Sequence, residues 1–266
     1  MKKIYNSFLT TLGLICRIPV SLKYNADFSM FGFFFPLIGL IVSALVLGLF
    51  LLLNPIFTQS GITVFVILII QYTTFNLFHF DGLLDCADAF LYNTTKERRL
   101  SILTDKRTGA FAIFAGSIYI FLKIFLLKES IAILNSNGTN WIWILILFSY
   151  PLTGRIAGSL MPAIIPPAED PGLAELLKDY SSILLLFGIL FSTLVPATLI
   201  FITTPISIKL LLFLIPFTGA IIAGLVISGI SKKLVGGYTG DSIGLTIEIG
   251  EILHLLIITE VLGRLF

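Results

Sequence analysis

Charged residues are scarce in this chain of 266 residues, since Asp, Glu, Lys and Arg together make up only 12% of it. Soluble globular domains carry about 25% charged residues. Hydrophobic residues account for 57% of the sequence, and the mean hydropathy is +1.03. This composition excludes an ordinary soluble domain and predicts an integral membrane protein.

Cysteine and histidine are almost absent, with two residues of each type. Cys16 and Cys86 form no CxxC pair and no zinc-ligand pattern, which excludes a disulfide framework and a zinc finger. The net charge of +2 gives no support for a nucleic-acid partner. Segment 4–20 contains polar residues and Pro19 and lacks a clean cleavage site, so we expect no removable signal peptide.

Long apolar runs are the most prominent feature of the sequence, and each is long enough to cross a bilayer. Because hydrocarbon cannot satisfy backbone polar groups, such runs predict helices. The sequence therefore predicts an all-α integral membrane protein, a polytopic bundle of about seven transmembrane helices, forming one domain over residues 1–266. Segment 4–20 is predicted to be an interfacial or re-entrant helix. The predicted spans are 31–53, 61–78, 109–127, 140–161, 182–203, 208–230 and 244–263.

Basic residues divide unequally between the two sides of this predicted bundle. Thirteen Lys and Arg fall on the side of the N-terminus, and four fall on the other side: Lys123, Lys128, Lys209 and Arg264. Because cytoplasmic loops are enriched in Lys and Arg, this predicts a cell-membrane protein with a cytoplasmic N-terminus. Thirteen of the 15 carboxylates lie on the same side. We therefore expect the active site at the cytoplasmic face.

A first group of carboxylates follows the second predicted span. Asp81, Asp85 and Asp88 are spaced i, i+4 and i+7, so a helix would present all three on one face. Three neighbouring carboxylates repel one another unless a cation is bound, and oxygen ligands suit magnesium. A solvated acidic helix face is the alternative. His79 is predicted to act as a general base or phosphate contact, or to be a structural histidine at the membrane interface.

A second group of carboxylates begins the last predicted span, where Asp241, Glu248 and Glu251 occupy one helical stripe. Acidic residues inside a span are costly unless a cation or hydrogen bonds compensate them, and we expect these three to bind metal. The glycine-rich turn before them offers backbone N–H groups to an anion, which predicts phosphate contacts at Gly237, Thr239 and Gly240. A simple turn is the alternative there.

Basic residues between the two groups are candidates for substrate binding. Arg107 can hold phosphate oxygens with its planar guanidinium, and Asp105 beside it is a further candidate for substrate binding. Arg98 and Arg99 are expected to do no more than fix the topology. Arg155 is expected to extend to the membrane interface or to bind substrate.

Three separated motifs together resemble the cobalamin synthase family, also called adenosylcobinamide-GDP ribazoletransferases. They are His-Phe-Asp-Gly-Leu-Leu-Asp-Cys-Ala-Asp at 79–88, Asp-Lys-Arg-Thr-Gly-Ala-Phe at 105–111, and Gly-Gly-Tyr-Thr-Gly-Asp at 236–241 with its two later glutamates. The resemblance implies that adenosylcobinamide-GDP reacts with alpha-ribazole, or its 5′-phosphate, to give adenosylcobalamin, or its 5′-phosphate, and GMP. It also implies Mg²⁺, which we expect the six clustered carboxylates to hold as one or two ions. A homo-oligomer is left open.

Three other classes of membrane protein share part of this pattern. CDP-alcohol phosphotransferases also begin with Asp-Gly and continue with spaced aspartates, but their Ala-Arg pair is replaced here by Leu84 and Asp85. Membrane prenyltransferases also hold magnesium pyrophosphate on aspartate-rich helix ends. Ion-coupled transporters are the non-enzymatic alternative, but their carboxylates lie near the middle of the bilayer.

Overall fold

The computed structural model describes residues 2–17, 19–20, 25–136, 141–168, 176–177, 180–203 and 206–265, with the backbone alone described for 201, 203, 206–213, 215 and 216. The fold is helical, as the sequence predicts. Within these ranges the β-pairing consists of one isolated bridge between Pro167 and Tyr238.

Eleven α-helices and one π-helical segment make up the described fold. They are α1 (Lys2–Ile15), α2 (Phe31–Leu53), α3 (Ser60–Gln71), the π segment (Tyr72–Asn76), α4 (Leu77–Leu91), α5 (Lys96–Leu103), α6 (Ala110–Ser136), α7 (Trp141–Leu147), α8 (Tyr150–Ile164), α9 (Ser182–Thr203), α10 (Ile206–Val235) and α11 (Gly240–Leu265). The π segment joins α3 to α4, so these form one continuous span.

Six helical stretches in the described part of the chain are long and apolar enough to cross a membrane. They are Phe31–Leu53, Ser60–Leu91, Ala110–Ser136, Trp141–Ile164, Ser182–Ile200 and Phe217–Val235. The predicted seventh span, 244–263, lies within α11, whose 26 residues extend about 39 Å. Its acidic residues lower its hydropathy. The prediction of a multi-pass bundle of about seven spans is confirmed.

Helix α11 lies at the centre of the bundle and packs against α4, α6, α8 and α10. Ile247, Leu255 and Ile258 on α11 have no exposed surface. The outer surface of the bundle is apolar instead, and Phe121 of α6 is 72% exposed. An apolar exterior around a partly polar interior is the arrangement that a bilayer favours.

Small residues allow α8 and α11 to approach closely. A Cβ on Gly154 would stand 2.6 Å from Cγ of Glu251, and a Cβ on Gly250 would stand 2.8 Å from Cβ of Ala157. Interfaces between transmembrane helices are enriched in such residues because they let backbones meet. The close approach carries the α11 glutamates into the middle of the bundle.

The position of Lys123 differs from the sequence-based prediction. The count of basic residues placed it on the side opposite the N-terminus, but the structure buries its side chain completely in the middle of α6. A charge count cannot recognise a buried ion pair, which is why that placement was wrong. Lys23 and Lys178, which were counted on the cytoplasmic side, lie outside the described residues.

Candidate functional site

The three aspartates of the first motif lie on α4, as their spacing predicts. Asp81 is exposed, whereas Asp85 and Asp88 are half-buried. Gly82, Leu83, Cys86 and Ala89 occupy the buried face of the same helix. The helix therefore holds an apolar face in the bundle and leaves a carboxylate stripe at its edge.

The start of α11 packs directly against this stripe. A Cβ on Gly82 would stand 2.7 Å from the carbonyl oxygen of Asp241, so only glycine permits this approach. One turn away, a Cβ on Gly244 would stand 2.9 Å from the carbonyl oxygen of His79. The carboxylate of Asp85 interacts electrostatically with those of Asp241, Asp81 and Asp88. Aspartates 160 residues apart in the chain thus form one group.

Asp88 has a structural role that its spacing does not reveal. Its Oδ2 accepts a hydrogen bond from the Gly109 N–H at 2.6 Å, and its Oδ1 accepts one from the Ala112 N–H at 3.0 Å. These are N–H groups at the start of α6 that have no partner within their own helix. Asp88 therefore caps α6 from a neighbouring helix, and each carboxylate oxygen keeps a second lone pair.

His79 lies in the interior rather than beside the aspartates. Its side chain is buried, its ring packs 6.3 Å from that of Phe35, and its Nε2 has no hydrogen-bond partner in the described part of the chain. Its catalytic role stays a prediction, and the structure adds no contact with a carboxylate to support it.

Glu248 and Glu251 do not join the aspartate group. Glu248 accepts hydrogen bonds from Tyr72 Oη at 2.8 Å and from Asn76 Nδ2 at 2.9 Å, and also from Tyr119. Glu251 forms ion pairs with Lys123 and Arg155. Their charges are thus compensated by hydrogen bonds and ion pairs, and metal binding by either glutamate stays a prediction.

Arg155 likewise differs from its predicted position. It neither extends to the membrane interface nor opens onto a substrate site, because its side chain is only 1% exposed and bonds Glu251 and Asn76. Buried arginine is costly unless it is paired. The i, i+7 and i+10 spacing on α11 indicated that its three carboxylates lie on one helical stripe, but it gave no information about these partners.

The glycine-rich turn before α11 is held by local contacts. Gly236 has φ +90°, which favours glycine. The backbone of Gly237 packs against residues 166–168. The Tyr238 N–H donates to the Pro166 carbonyl at 3.0 Å, and the Ala168 N–H donates to the Tyr238 carbonyl at 2.9 Å. Thr239 Oγ1 accepts from the Ser242 N–H at 3.1 Å and thereby caps α11. Phosphate binding by Gly237, Thr239 and Gly240 stays a prediction.

A cavity of about 390 Å³ opens beside Asp88. Arg107 lines it, with Nε and Nη2 bonded to Asp105 at 3.0 and 2.7 Å. These hydrogen bonds lower the pKa of Asp105 to about 2. Arg98 also lines the cavity. Because the sequence predicts that Arg98 does no more than fix the topology, its position at the cavity was not predicted.

The described residues contain no group of three His, Cys, Asp or Glu already close enough to hold a metal ion. Magnesium, however, is usually held by one or two carboxylates together with substrate phosphates and water. One or two of the grouped aspartates could hold the ion in that mode, because Asp85 interacts with Asp81, Asp88 and Asp241, and Asp88 lines a cavity that carries two arginines.

Comparisons with known proteins agree along nearly the whole chain. The model of the family described as cobalamin-5-phosphate synthase matches residues 7–259. No solved structure matches.

Relatives with assigned names cover most of both chains. The adenosylcobinamide-GDP ribazoletransferase of Fervidobacterium nodosum is 31% identical over 266 residues, covering 97% of this chain and 98% of its own. That of Halalkalibacterium halodurans is 32% identical, covering 92% and 89%. That of Thermosipho melanesiensis is 29% identical, covering 89% and 91%. The chain therefore belongs to the cobalamin-5-phosphate synthase family.

Proposed function

We infer that this chain is a membrane enzyme that joins adenosylcobinamide-GDP to alpha-ribazole, or to its 5′-phosphate, and releases GMP. The named relatives support this inference, since they are similar along nearly their whole length. The same similarity disfavours the CDP-alcohol phosphotransferase, prenyltransferase and transporter alternatives.

One structural observation carries the proposed chemistry, namely the contact of Gly82 with Asp241. It brings the carboxylate of α11 to those of α4, where Asp85 interacts with its three neighbours. We propose that Asp81, Asp85 and Asp241 hold Mg²⁺, with Asp88 contributing an oxygen from its capping position. The bound ion would polarise the phosphoryl oxygens and neutralise charge on the departing GMP.

The neighbouring residues provide the remaining requirements for phosphoryl transfer. Arg107 and Arg98 line the cavity beside Asp88 and would contact the pyrophosphate through charge-assisted hydrogen bonds. A ribose hydroxyl must lose its proton as it attacks phosphorus. The exposed carboxylate of Asp81 would accept that proton through the oxygen that does not bind the ion, whereas His79 is buried.

We also propose that the aspartate group faces the cytoplasm in the cell membrane. The aspartates lie in the last third of the continuous span Ser60–Leu91, and α11 begins beside them. The basic residues Lys232 and Lys233 end α10 just before α11 begins. This clustering of positive charge supports the cytoplasmic side for that face.

Turnover in detergent tests the proposed reaction. The purified chain, given adenosylcobinamide-GDP, alpha-ribazole and Mg²⁺, should release GMP, and EDTA should stop the release. Asp81→Asn and Asp241→Asn should lower kcat by about 100-fold or more, because each removes a charged oxygen from the proposed metal site.

A matched control separates this effect from a general loss of surface charge. Asp27 lies in the loop before α2, outside the three sequence motifs, and its Oδ1 accepts a hydrogen bond from the Ser29 N–H at 2.9 Å. Asp27→Asn should leave kcat unchanged. Absence of GMP release by the folded wild-type chain would refute the proposed reaction. Full activity of Asp81→Asn would refute the metal assignment alone.

A further inference from the structure

A network of buried polar side chains occupies the middle of the bundle, separate from the aspartate group. Its charged members are Lys123, Arg155, Glu248 and Glu251, and none has more than 1% of its side chain exposed. Two positive and two negative charges balance one another. The network joins α6, α8 and α11 to the π segment, which supplies Tyr72 and Asn76.

Each carboxylate in this network has several partners. Glu251 bonds Lys123 and Arg155, and Asn76 Nδ2 donates to it at 3.1 Å. Arg155 Nη2 in turn donates to Asn76 Oδ1 at 2.6 Å. Breaking one partner of a buried pair leaves an uncompensated charge, which costs several kcal/mol. Apart from Arg155 Nε, which has no hydrogen-bond partner in the described part of the chain, the network is therefore paired in this arrangement of the helices.

The π segment makes this arrangement possible. Gln71 Nε2 donates to Asn76 Oδ1 at 3.2 Å and to Glu251 Oε2 at 3.4 Å. Residues five apart point about 140° apart on an α-helix, so Gln71 and Asn76 would then face different neighbours. The i→i+5 geometry of a π-helix places them one turn apart on one face. An energetically poorer backbone is thus coupled to the charge network.

The network and the aspartate group both include contacts of α11 with the continuous helix formed by the π segment and α4. Asn76 meets Glu248, His79 meets Gly244, and Gly82 meets Asp241. From Asn76 to His79 to Gly82, each contact lies three residues further along the chain. The partners on α11 lie four and then three residues earlier. This constant register identifies an antiparallel pair in which the contacts of the glutamates and those of Asp241 are geometrically linked.

We infer that Lys123, Arg155, Glu248 and Glu251 are positioning residues that fix the register of α11 on α4 and thereby place Asp241 beside Asp81 and Asp85. The inference rests on the proposed function for its catalytic consequence. A slip between the two helices would leave the network unpaired and would carry Asp241 away from the α4 carboxylates. The cost of breaking the network is thus what holds the site together.

The variant Lys123→Met tests this inference, with Lys128→Met as its matched control. Both remove one lysine from α6, but Lys128 is exposed and lies outside the network. A misplacement of about 1 Å costs on the order of 100-fold in rate. We expect Lys123→Met to lower kcat by about that factor and to raise the Mg²⁺ concentration for half-maximal rate. Lys128→Met should match the wild-type chain.

A second variant distinguishes positioning from the loss of a lysine. Lys123→Met/Glu248→Gln restores the charge balance and leaves the pair of Glu251 with Arg155 intact. It should recover folding and most of the lost kcat. Ile258→Ala on α11, a buried apolar position outside the network, provides a variant of lowered stability. It should lower the thermal midpoint while leaving kcat and the Mg²⁺ requirement unchanged.

A readout without metal or substrate follows from Cys86, which is 1% exposed and lines a cavity together with Leu245 and Ile249 of α11. In a Cys16→Ser background, the labelling rate of Cys86 by a maleimide reports the separation of α4 from α11. We expect faster labelling in Lys123→Met and slow labelling in the balanced double variant.

Two outcomes would overturn the inference. One is a Lys123→Met chain whose kcat, Mg²⁺ requirement and Cys86 labelling match those of Ile258→Ala at equal stability. The other is a balanced double variant that is no better than Lys123→Met in folding or turnover. A wild-type chain that labels slowly but releases no GMP would instead refute the proposed function, leaving the register to be tested by labelling.

Discussion

Gly82 of α4 lies so close to Asp241 of α11 that a Cβ at position 82 would stand 2.7 Å from the carbonyl oxygen and 2.8 Å from the Cα of Asp241. Real Cβ atoms do not approach backbone atoms this closely. The glycine of the Asp-Gly pair is therefore required by helix packing. It determines how near the α11 carboxylate comes to Asp81 and Asp85.

Replacing Gly82 by Ala should separate the two helices at the proposed metal site. We expect Gly82→Ala to lower kcat by about 100-fold, since small misplacements are costly, and to destabilise the fold by about 1–3 kcal/mol through overpacking. GMP release and thermal unfolding in detergent measure the two effects.

Gly48→Ala is the matched control for this prediction, because Gly48 is also in a transmembrane helix but a Cβ there would meet nothing within 4 Å. Alanine is favoured over glycine within a helix by about 0.5–1 kcal/mol. The control should therefore be as stable as the wild-type chain or slightly more stable. Equal activities of Gly82→Ala and Gly48→Ala would contradict the importance of the close contact.

Asp88 and Asp81 should differ in their effects on stability. Asp88→Ala removes two hydrogen bonds to the start of α6, and loss of such a cap costs about 0.5–2 kcal/mol. Asp81 is exposed on the same helix, so Asp81→Ala should lower activity without lowering the thermal midpoint. Urea or thermal unfolding would decide the matter, and equal midpoints for the two variants would refute the capping role.

The aspartate side of the site was largely predictable from sequence. The i, i+4 and i+7 spacing of Asp81, Asp85 and Asp88 placed them on one helix face, and the structure confirms that helix. A motif at 236–241 was identified as the partner element, and Asp241 does lie against α4. Local periodicity sufficed here because each motif is contained in a few helical turns.

The buried network was not predictable in the same way. The sequence predicts that Glu248 and Glu251 need a cation or hydrogen bonds as compensation, but it does not indicate which side chains provide them. Lys123 and Arg155, the ion-pair partners of Glu251, lie 128 and 96 residues away in the chain. Lys123 had been placed on the side opposite the N-terminus, and Arg155 at the membrane interface or in the substrate site. Hydropathy and charge counts hold no information on tertiary pairing. The π segment also leaves no sequence signal that separates it from α-helix.

The two arginines that line the cavity beside Asp88 should contribute to substrate affinity. Arg107→Ala and Arg98→Ala should each raise the KM for adenosylcobinamide-GDP by about tenfold, the scale of one charge-assisted hydrogen bond. Arg99 carries the same charge on α5 but does not line the cavity, so Arg99→Ala provides the control. Unchanged KM in Arg107→Ala and Arg98→Ala would remove both residues from the proposed substrate site.

The pair of Asp105 and Arg107 should not titrate in the working pH range. Hydrogen bonds from Arg107 lower the pKa of Asp105 to about 2, below the ordinary value of about 3.9. Because the folded pKa is depressed, the stabilisation by the pair is complete above about pH 4 and is lost as the pH falls towards 2. Any change in kcat/KM between about pH 6 and pH 9 should therefore persist in Asp105→Asn. A profile that flattens in this variant would contradict the assignment.

Inserting an alanine after Thr73 should test the coupling between the π segment and the site. The Leu77 N–H bonds the Tyr72 carbonyl five residues earlier, and this geometry holds Gln71 and Asn76 on one face. The insertion would put them six residues apart, which is about 120° on an α-helix. Gln71 could then no longer share Glu251 with Asn76, and we expect at least about a tenfold loss of kcat together with a lower thermal midpoint. Thr73→Ala is the control, because the Thr73 side chain is exposed and bonds only the preceding turn of its own helix. If the insertion variant releases GMP as fast as Thr73→Ala, the π geometry has no part in holding Asp241 in place.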